Sequence, residues 1–407
     1  MAETILRDLR TGRSPWMSRP LAALPSTPLR RDAAADVVVV GAGISGAMVA
    51  EALGEAGLKV VILDRRGPLQ GSTPASTALL QYEIDTPLSE LADRIGLERA
   101  ERIWRRSKLA LESLRERAGR LGISADLELR DSLYLEGDRL DRDGLEREAE
   151  ARRRAGFEVT VLSGAEVAAR YGLQRRAALL GHGNLAADPR RLAAGFLRAA
   201  LERGAHLHCP AEVVEVETGA GMVCAVTAGG PVVRARHLVF ATGYELPRRV
   251  PRKGHRIVST YCLATRPQPR AVPRDLPFVW EASDPYLYLR SGQDGRIICG
   301  GEDEDFVDEA RRDERLEVKV EALRGKLAQL MPQLDTAPTH AWCGSFGTSR
   351  TGTPSIGSVP GLARCYAVLG YGGNGITFSM LAAQILGGLI TGNGDADSAL
   401  FSFRRRF

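Results

Sequence analysis

Four consecutive valines, Val37 to Val40, run straight into Gly41-Ala42-Gly43-Ile44-Ser45-Gly46, and no other stretch constrains the chain as much. A helical run follows, then a second β-branched strand, Val60-Val61-Ile62-Leu63, closed by Asp64. Each glycine of this pattern has a physical task. Gly41 permits the tight turn, Gly43 lets backbone approach a pyrophosphate, and Gly46 lets the helix pack closely on the strand. The phosphates would meet the free N–H groups at the helix start, beside Ile44 and Ser45, where the macrodipole favours negative charge. Asp64 follows Gly41 at about the spacing of a ribose-hydroxyl acceptor, and Arg65 is counted in the same site. The reading is a dinucleotide-binding unit that begins near Asp36.

Composition removes several function classes. The chain has 407 residues, enough for a large core and two domains. With 44% hydrophobic and 26% charged residues it reads as a soluble globular protein. The net charge of +5 comes from arginines scattered among acids, so no basic stripe marks a nucleic-acid surface. Six cysteines (209, 224, 262, 299, 343, 365) stand singly, without CxxC or paired histidine spacing. That usage fits a reduced, cytoplasmic chain with no metal site, and His206 and His208 read as strand residues. Residues 1–35 carry four prolines and no apolar h-region, so they read as an extended arm on the surface or a disordered tail. The longest apolar stretch, 376–390, is too short for a span and carries Ser379 and Gln384, which suggests a buried helix and no integral membrane segment.

Further nucleotide-binding text follows. After Asp64 comes a loop of hydroxyls and small residues, Gly71-Ser72-Thr73-Pro74-Ala75-Ser76-Thr77. A helical pattern covers 88 to about 121, and Asp188-Pro189 caps another helix. A buried strand ends in Ala241-Thr242-Gly243, and 257–302 is strand-rich. The last motif is a second glycine cluster, Gly370-Tyr371-Gly372-Gly373-Asn374-Gly375, followed by Ile376 and Thr377. Too little chain remains after it for a second dinucleotide half. It reads as a helix N-terminus aimed at a ligand; for a flavin it would stabilise negative charge at N1 and O2 of the reduced ring. One fingerprint plus one such dipole fits FAD better than NAD. The segments alternate, predicting an FAD-binding domain from 36–87, 188–247 and 336–407, with a substrate domain from 88–187 and 248–335.

In their order along the chain, these motifs resemble the FAD-dependent oxidoreductases of the D-amino-acid oxidase, glycine oxidase and sarcosine oxidase superfamily. The resemblance runs from Asp36 onward and includes Gly352-Thr353-Pro354-Ser355-Ile356-Gly357. It implies an α/β fold (α+β overall), with a Rossmann-like FAD-binding domain interleaved with a substrate domain built on an antiparallel sheet. It implies that Val213 offers backbone atoms to the adenine. Glycine-oxidase-like members grip the substrate carboxylate with an arginine where this chain has Phe346, which cannot form the bidentate pair. Arg350 is the candidate replacement, and Tyr288 stands where those enzymes carry a carboxylate-side tyrosine. Sarcosine-oxidase-like members place an oxygen-activating lysine where this chain has Ile298. Cys343 lies one position from a covalent flavin attachment point, and the offset favours a core thiol and non-covalent FAD.

The expected chemistry is hydride transfer from a small amine or amino acid to flavin N5, with oxygen or a carrier as acceptor. The 72–77 loop also resembles that of flavin-dependent glycerol-3-phosphate dehydrogenases. The alternatives are therefore a dehydrogenase of a hydroxy compound, using His255 or Glu302 as base and a non-oxygen acceptor, or a non-catalytic FAD-binding subunit.

Overall fold

A computed structural model of the protein describes residues 3–405 apart from 175 and 220. Val37 to Val40 form the end of the strand Ala33–Val40 at the centre of an eight-stranded sheet. It pairs in parallel with Val60–Leu63 on one side and with Val232–Phe240 on the other. Cys365–Leu369 and His206–His208 extend the parallel set outward, so the two histidines are strand residues, as the sequence suggests. A strand covered on both faces must be apolar at every position. Val37 and Val39 face the helices Ile44–Glu55, Pro189–Glu202 and Gly375–Thr391, while Val38 and Val40 face a small meander made by Val213–Thr218 and Val223–Thr227. The stretch Gly372–Thr391 is long and apolar enough to cross a bilayer by composition, and 61% of it is buried inside the protein.

The second sheet has ten strands and is antiparallel apart from the pair Phe278–Glu281 with Glu128–Leu135. Its centre is the run Pro338–Ser349, His255–Thr265, Ile297–Glu304 and Leu287–Ser291. The helix Leu316–Leu330 covers its far face with Leu323, Leu327 and Leu330. The near face looks back toward the glycine-rich ends of the first sheet. This is the α/β architecture with an antiparallel second sheet expected from the sequence. Two strands lie in this sheet although the sequence groups them with the nucleotide-binding segments. Leu79–Leu80 pairs with Ala178–Ala186, and Pro338–Ser349 pairs with His255–Thr265 along eleven registered positions. Both pairings join residues far apart in sequence, which local patterning does not encode.

The N-terminal arm is extended but is far from a loose tail. Arg10–Gly12 adds an edge strand to Pro338–Ser349, and Leu9 accepts a hydrogen bond from the Ser345 amide. Ser14 bonds the Pro74 carbonyl, and the buried Trp16 donates its indole N–H to Ser76. The guanidinium of Arg290 lies 5.0 Å from the Trp16 ring. The fully buried Arg312 donates to the carbonyl of Asp8 and so ties the arm down from the other side. Replacing Trp16 by alanine removes the ring that roofs Arg290 and the donor that holds the 72–77 loop. We expect a stability loss of about 3 kcal/mol, read as a lower denaturant midpoint at unchanged m-value.

Candidate active site

The fingerprint turns as the glycines require. Gly41 has φ of +112°, and a Cβ there would sit 2.4 Å from the Ala241 carbonyl oxygen. A Cβ on Gly46 would meet the Gly41 carbonyl oxygen at 1.9 Å, so the helix can approach the strand only without a side chain. At Gly43 a Cβ would meet only the Thr73 hydroxyl, at 3.3 Å, so its face toward the cleft is open.

That cleft forms two adjoining chambers with shared walls at Ile44, Ser45, Ser72, Thr73 and Gly243. The first is lined by Gly41, Gly43, Asp64, Arg65, Gly71, Val213, Ala241 and Thr242. The second is lined by Ser76, Thr77, Gly372, Gly373, Asn374, Gly375, Ile376 and Thr377. Every residue proposed from the sequence to hold the dinucleotide therefore lies on this cleft except Gly46, which serves the packing behind it. Several already carry internal bonds. Asp64 accepts backbone N–H groups from Ala42, Arg66 and Gly67 at 2.8, 2.9 and 2.9 Å, which braces the turn and leaves a carboxylate lone pair for a further donor. Arg65 lies between Glu212 and Glu245, at 3.6 and 3.7 Å, and bonds the Thr4 hydroxyl. The Val213 carbonyl accepts the Glu3 N–H of the arm at 3.4 Å. Thr73 takes the Ile44 amide at 3.1 Å.

The cleft passes a physical test for a polar ligand. Gln81 Nε2, Trp280 Nε1 and Asn374 Oδ1 are buried polar atoms with no hydrogen-bond partner, and all three residues line the second chamber. Buried polar atoms normally find partners, so a bound group with donors and acceptors is the natural complement. An FAD molecule with its pyrophosphate at Gly43 and Ile44 and its ring near Gly372 to Thr377 fits this set.

Of the four catalytic candidates, only Tyr288 is in the cavity. Its hydroxyl lies 3.7 Å from the Cys262 sulfur, and burial pushes its pKa well above the usual tyrosine value. Arg350 does not line the chamber. It is exposed in the turn after Pro338–Ser349, where its amide bonds Gly254 and its carbonyl accepts from Arg94. Phe346, four residues earlier on the strand, does line the cavity. His255 also lies outside. Its Nε2 is 2.8 Å from the Ser355 hydroxyl, its ring packs on Gly370, and burial, helped by Arg405, lowers its pKa to about 4. Glu302 is turned away, 2.6 Å from Lys326 and 3.2 Å from Lys319; burial would raise its pKa, but the lysines outweigh that and hold it low. An acid held by two ammonium groups is a poor proton acceptor. Ile298 is packed with Trp16, Cys262, Ala264 and Trp342, so that position is apolar. Cys343 faces the opposite side of its strand from Trp342 and Gly344, which line the cavity, and its thiol bonds Asp313 at 3.4 Å.

Three residues of chemical weight escaped the sequence reading. Asp85 lines the chamber and accepts the Gly373 N–H at 2.8 Å, an amide otherwise free to meet the ligand. Tyr286 lines it too and donates to Asp303 Oδ2 at 2.6 Å. Asp303 sits one residue from Glu302, and the difference is a bulge. Gly301 and Glu302 both have positive φ, +139° and +56°, and the strand register shifts there. The bulge shifts the alternation by one residue, so Asp303 takes the face that Glu302 would otherwise occupy. The glycine at 301 beside a run of acids was the only signal in the sequence.

Comparison with known proteins agrees with this fold. A sequence profile of the D-amino-acid-oxidase-type FAD dependent oxidoreductases matches residues 36–389. The chain is 25% identical over 381 residues to gamma-glutamylputrescine oxidoreductase of Escherichia coli, covering 91% of this chain and 87% of that one. It is 22% identical over 378 residues to a probable oxidoreductase, OrdL, of Haemophilus influenzae, covering 90% and 85%. The fold superposes on glycine oxidase from Geobacillus kaustophilus with a TM-score of 0.74 at 23% identity, over 92% of this chain and all of that one.

Two glycine variants separate folding from binding. Gly46→Ala should lower stability or yield, because its new methyl collides with backbone. Gly43→Val should fold, by circular dichroism, yet bind FAD at least ~10-fold more weakly, the cost of about 1.4 kcal/mol in lost approach.

Proposed function

From the premise that the chain belongs to the FAD dependent oxidoreductase family, we propose that it oxidises an amine lacking an α-carboxylate. The enzyme is an FAD-dependent oxidoreductase. One observation carries the substrate reading. The chamber presents Asp85, Tyr244, Trp280, Tyr286, Tyr288, Phe346 and Tyr371, and among the described residues no lysine, arginine or histidine lines it. A carboxylate taken out of water needs a cation or several donors, whereas an acidic, aromatic cavity suits an ammonium group. The Escherichia coli relative's name, gamma-glutamylputrescine oxidoreductase, supports an amine.

FAD, when bound, supplies the two-electron acceptor at flavin N5. The protein's share is orientation and exclusion of water. Asn374 donates to the carbonyls of Gln81 and Glu83, and Thr377 donates to Gln81, which pins the 81–85 segment over the start of the helix Gly375–Thr391. Arg290 donates from beneath to the Thr77 and Ala187 carbonyls; burial lowers its pKa to about 10, so it stays charged at neutral pH. These contacts hold the walls within which a C–H bond can be aimed. The core-facing direction of Cys343 supports non-covalent FAD.

Three measurements test this reading. Anaerobic mixing with primary and secondary amines should bleach the flavin, while α-amino acids and hydroxy acids should leave it yellow; the reverse pattern overturns the proposal. Phe346→Arg should shift preference toward amino acids by ~10-fold or more in kcat/KM, since a bidentate arginine–carboxylate pair is worth at least about 1.5 kcal/mol. Acid precipitation should release all the FAD into the supernatant; flavin retained in the pellet and lost in Cys343→Ser would show a covalent link.

A further inference from the structure

We propose that Tyr286 and Asp303 form the substrate-ammonium site: Tyr286 touches the amine, and Asp303 behind it supplies the negative charge and receives the proton. The proposal rests on the amine reading above and names the residues that enforce it.

Three observations support it. Tyr286 lines the cavity and spends its hydroxyl proton on Asp303 Oδ2, leaving its oxygen lone pairs available to a donor. Asp303 Oδ1 is buried without a hydrogen-bond partner. No cationic side chain lies within ion-pair distance of Asp303 among the described residues, although its neighbours Glu302 and Glu304 are both paired, with Lys319, Lys326 and Arg315. The groups facing Asp303 are Tyr286 and Tyr288, Thr260, Cys262, Asp85 and Asp284, all neutral or acidic. A half-buried carboxylate whose Oδ1 is shut off from solvent and has only such neighbours lacks a counter-ion, and a bound ammonium group would provide one.

The same burial prepares the pair for proton transfer. Burial raises the Asp303 pKa to about 6, against the hydroxyls of Tyr286 and Thr260. Burial equally disfavours a charged amine, so the two affinities approach each other in the cavity. As an ammonium N–H bond breaks, its proton passes to the Tyr286 oxygen and the phenol proton passes to Asp303. The amine and the acid both end neutral, no electron moves, and the amine lone pair is free to assist departure of hydride from the adjacent carbon. Tyr286 is thus the contacting residue and Asp303 a positioning and proton-accepting residue behind it.

The test uses three isosteres that cannot be oxidised, titrated into FAD-loaded enzyme and read by perturbation of the flavin spectrum. They are tert-butylamine, tert-butanol and pivalate. Native enzyme should bind tert-butylamine in preference to the other two, with affinity rising through pH 6 to a plateau as Asp303 ionises. Asp303→Asn should weaken tert-butylamine by ~10- to 100-fold, the range of a charged hydrogen bond, and flatten the pH profile without changing tert-butanol binding. Tyr286→Phe should weaken the amine while keeping the pH limb. Native-like amine affinity and pH profile in Asp303→Asn overturn this proposal and leave the amine reading intact. Pivalate binding better than tert-butylamine overturns the amine reading itself. Should Asp303→Asn fail to retain FAD, Tyr286→Phe decides: unchanged tert-butylamine binding there refutes the site.

Discussion

The cleft exists because a helix can touch the end of a strand with no side chain between them. The Cβ that Gly46 lacks would lie 1.9 Å from the Gly41 carbonyl oxygen, and the one that Gly41 lacks would lie 2.4 Å from that of Ala241. The fingerprint turn, the start of its own helix and the distant 241–243 turn therefore meet backbone to backbone. Their contact brings the first helix N-terminus, the 241–243 turn and the hydroxyl loop around one space. A methyl group at either glycine would push these elements apart and close off the phosphate approach. The burial of Val37 to Val40 on both faces makes the contact rigid, since their strand has no freedom to shift.

The second sheet decides the chemistry offered to that space. Alternation along Pro338–Ser349 sends Trp342, Gly344 and Phe346 toward the cavity and Cys343 into the opposite core. The same alternation on Leu287–Ser291 places Tyr288 in the cavity wall and Arg290 under the hydroxyl loop. The bulge at Gly301 then breaks the rule once, on the strand that ends in three successive acids. Without it the order of side chains would continue unshifted, and a different acid would face Tyr286. The result is a cavity whose walls are aromatic and acidic.

The arm adds a third constraint that the family profile, which begins at residue 36, does not include. It crosses the cleft along its length, from Glu3 at the Val213 carbonyl, past Thr4 at Arg65 and Arg10 at Gly71, to Trp16 at Ser76. The bonds from Arg10 and Trp16 satisfy carbonyls of the same loop that lines both chambers. Loop carbonyls left bare beneath a roof of protein would be costly. The arm thereby couples the order of the hydroxyl loop to the edge of the second sheet.

Local patterns announced the nucleotide half of this protein. A strand, a glycine turn and an acid at a set spacing describe a few contiguous residues whose geometry their own backbone enforces, and the second glycine cluster is legible for the same reason. Local pattern does not fix a side chain whose role depends on which strand lies beside it. Arg350 and His255 have the right chemistry and stand close in sequence to cavity residues, yet the turn after Pro338–Ser349 carries one to solvent, and packing on Gly370 takes the other out of reach. Glu302 and Asp303 are indistinguishable as text, since strand register and one bulge assign their directions. The sequence alone thus determined the dinucleotide unit, because hydrogen-bond geometry and glycine conformation are local. Only the tertiary structure decided which acid and which aromatics share the cavity and which cations stay outside it, because register, bulge and strand pairing are set by contacts between distant segments.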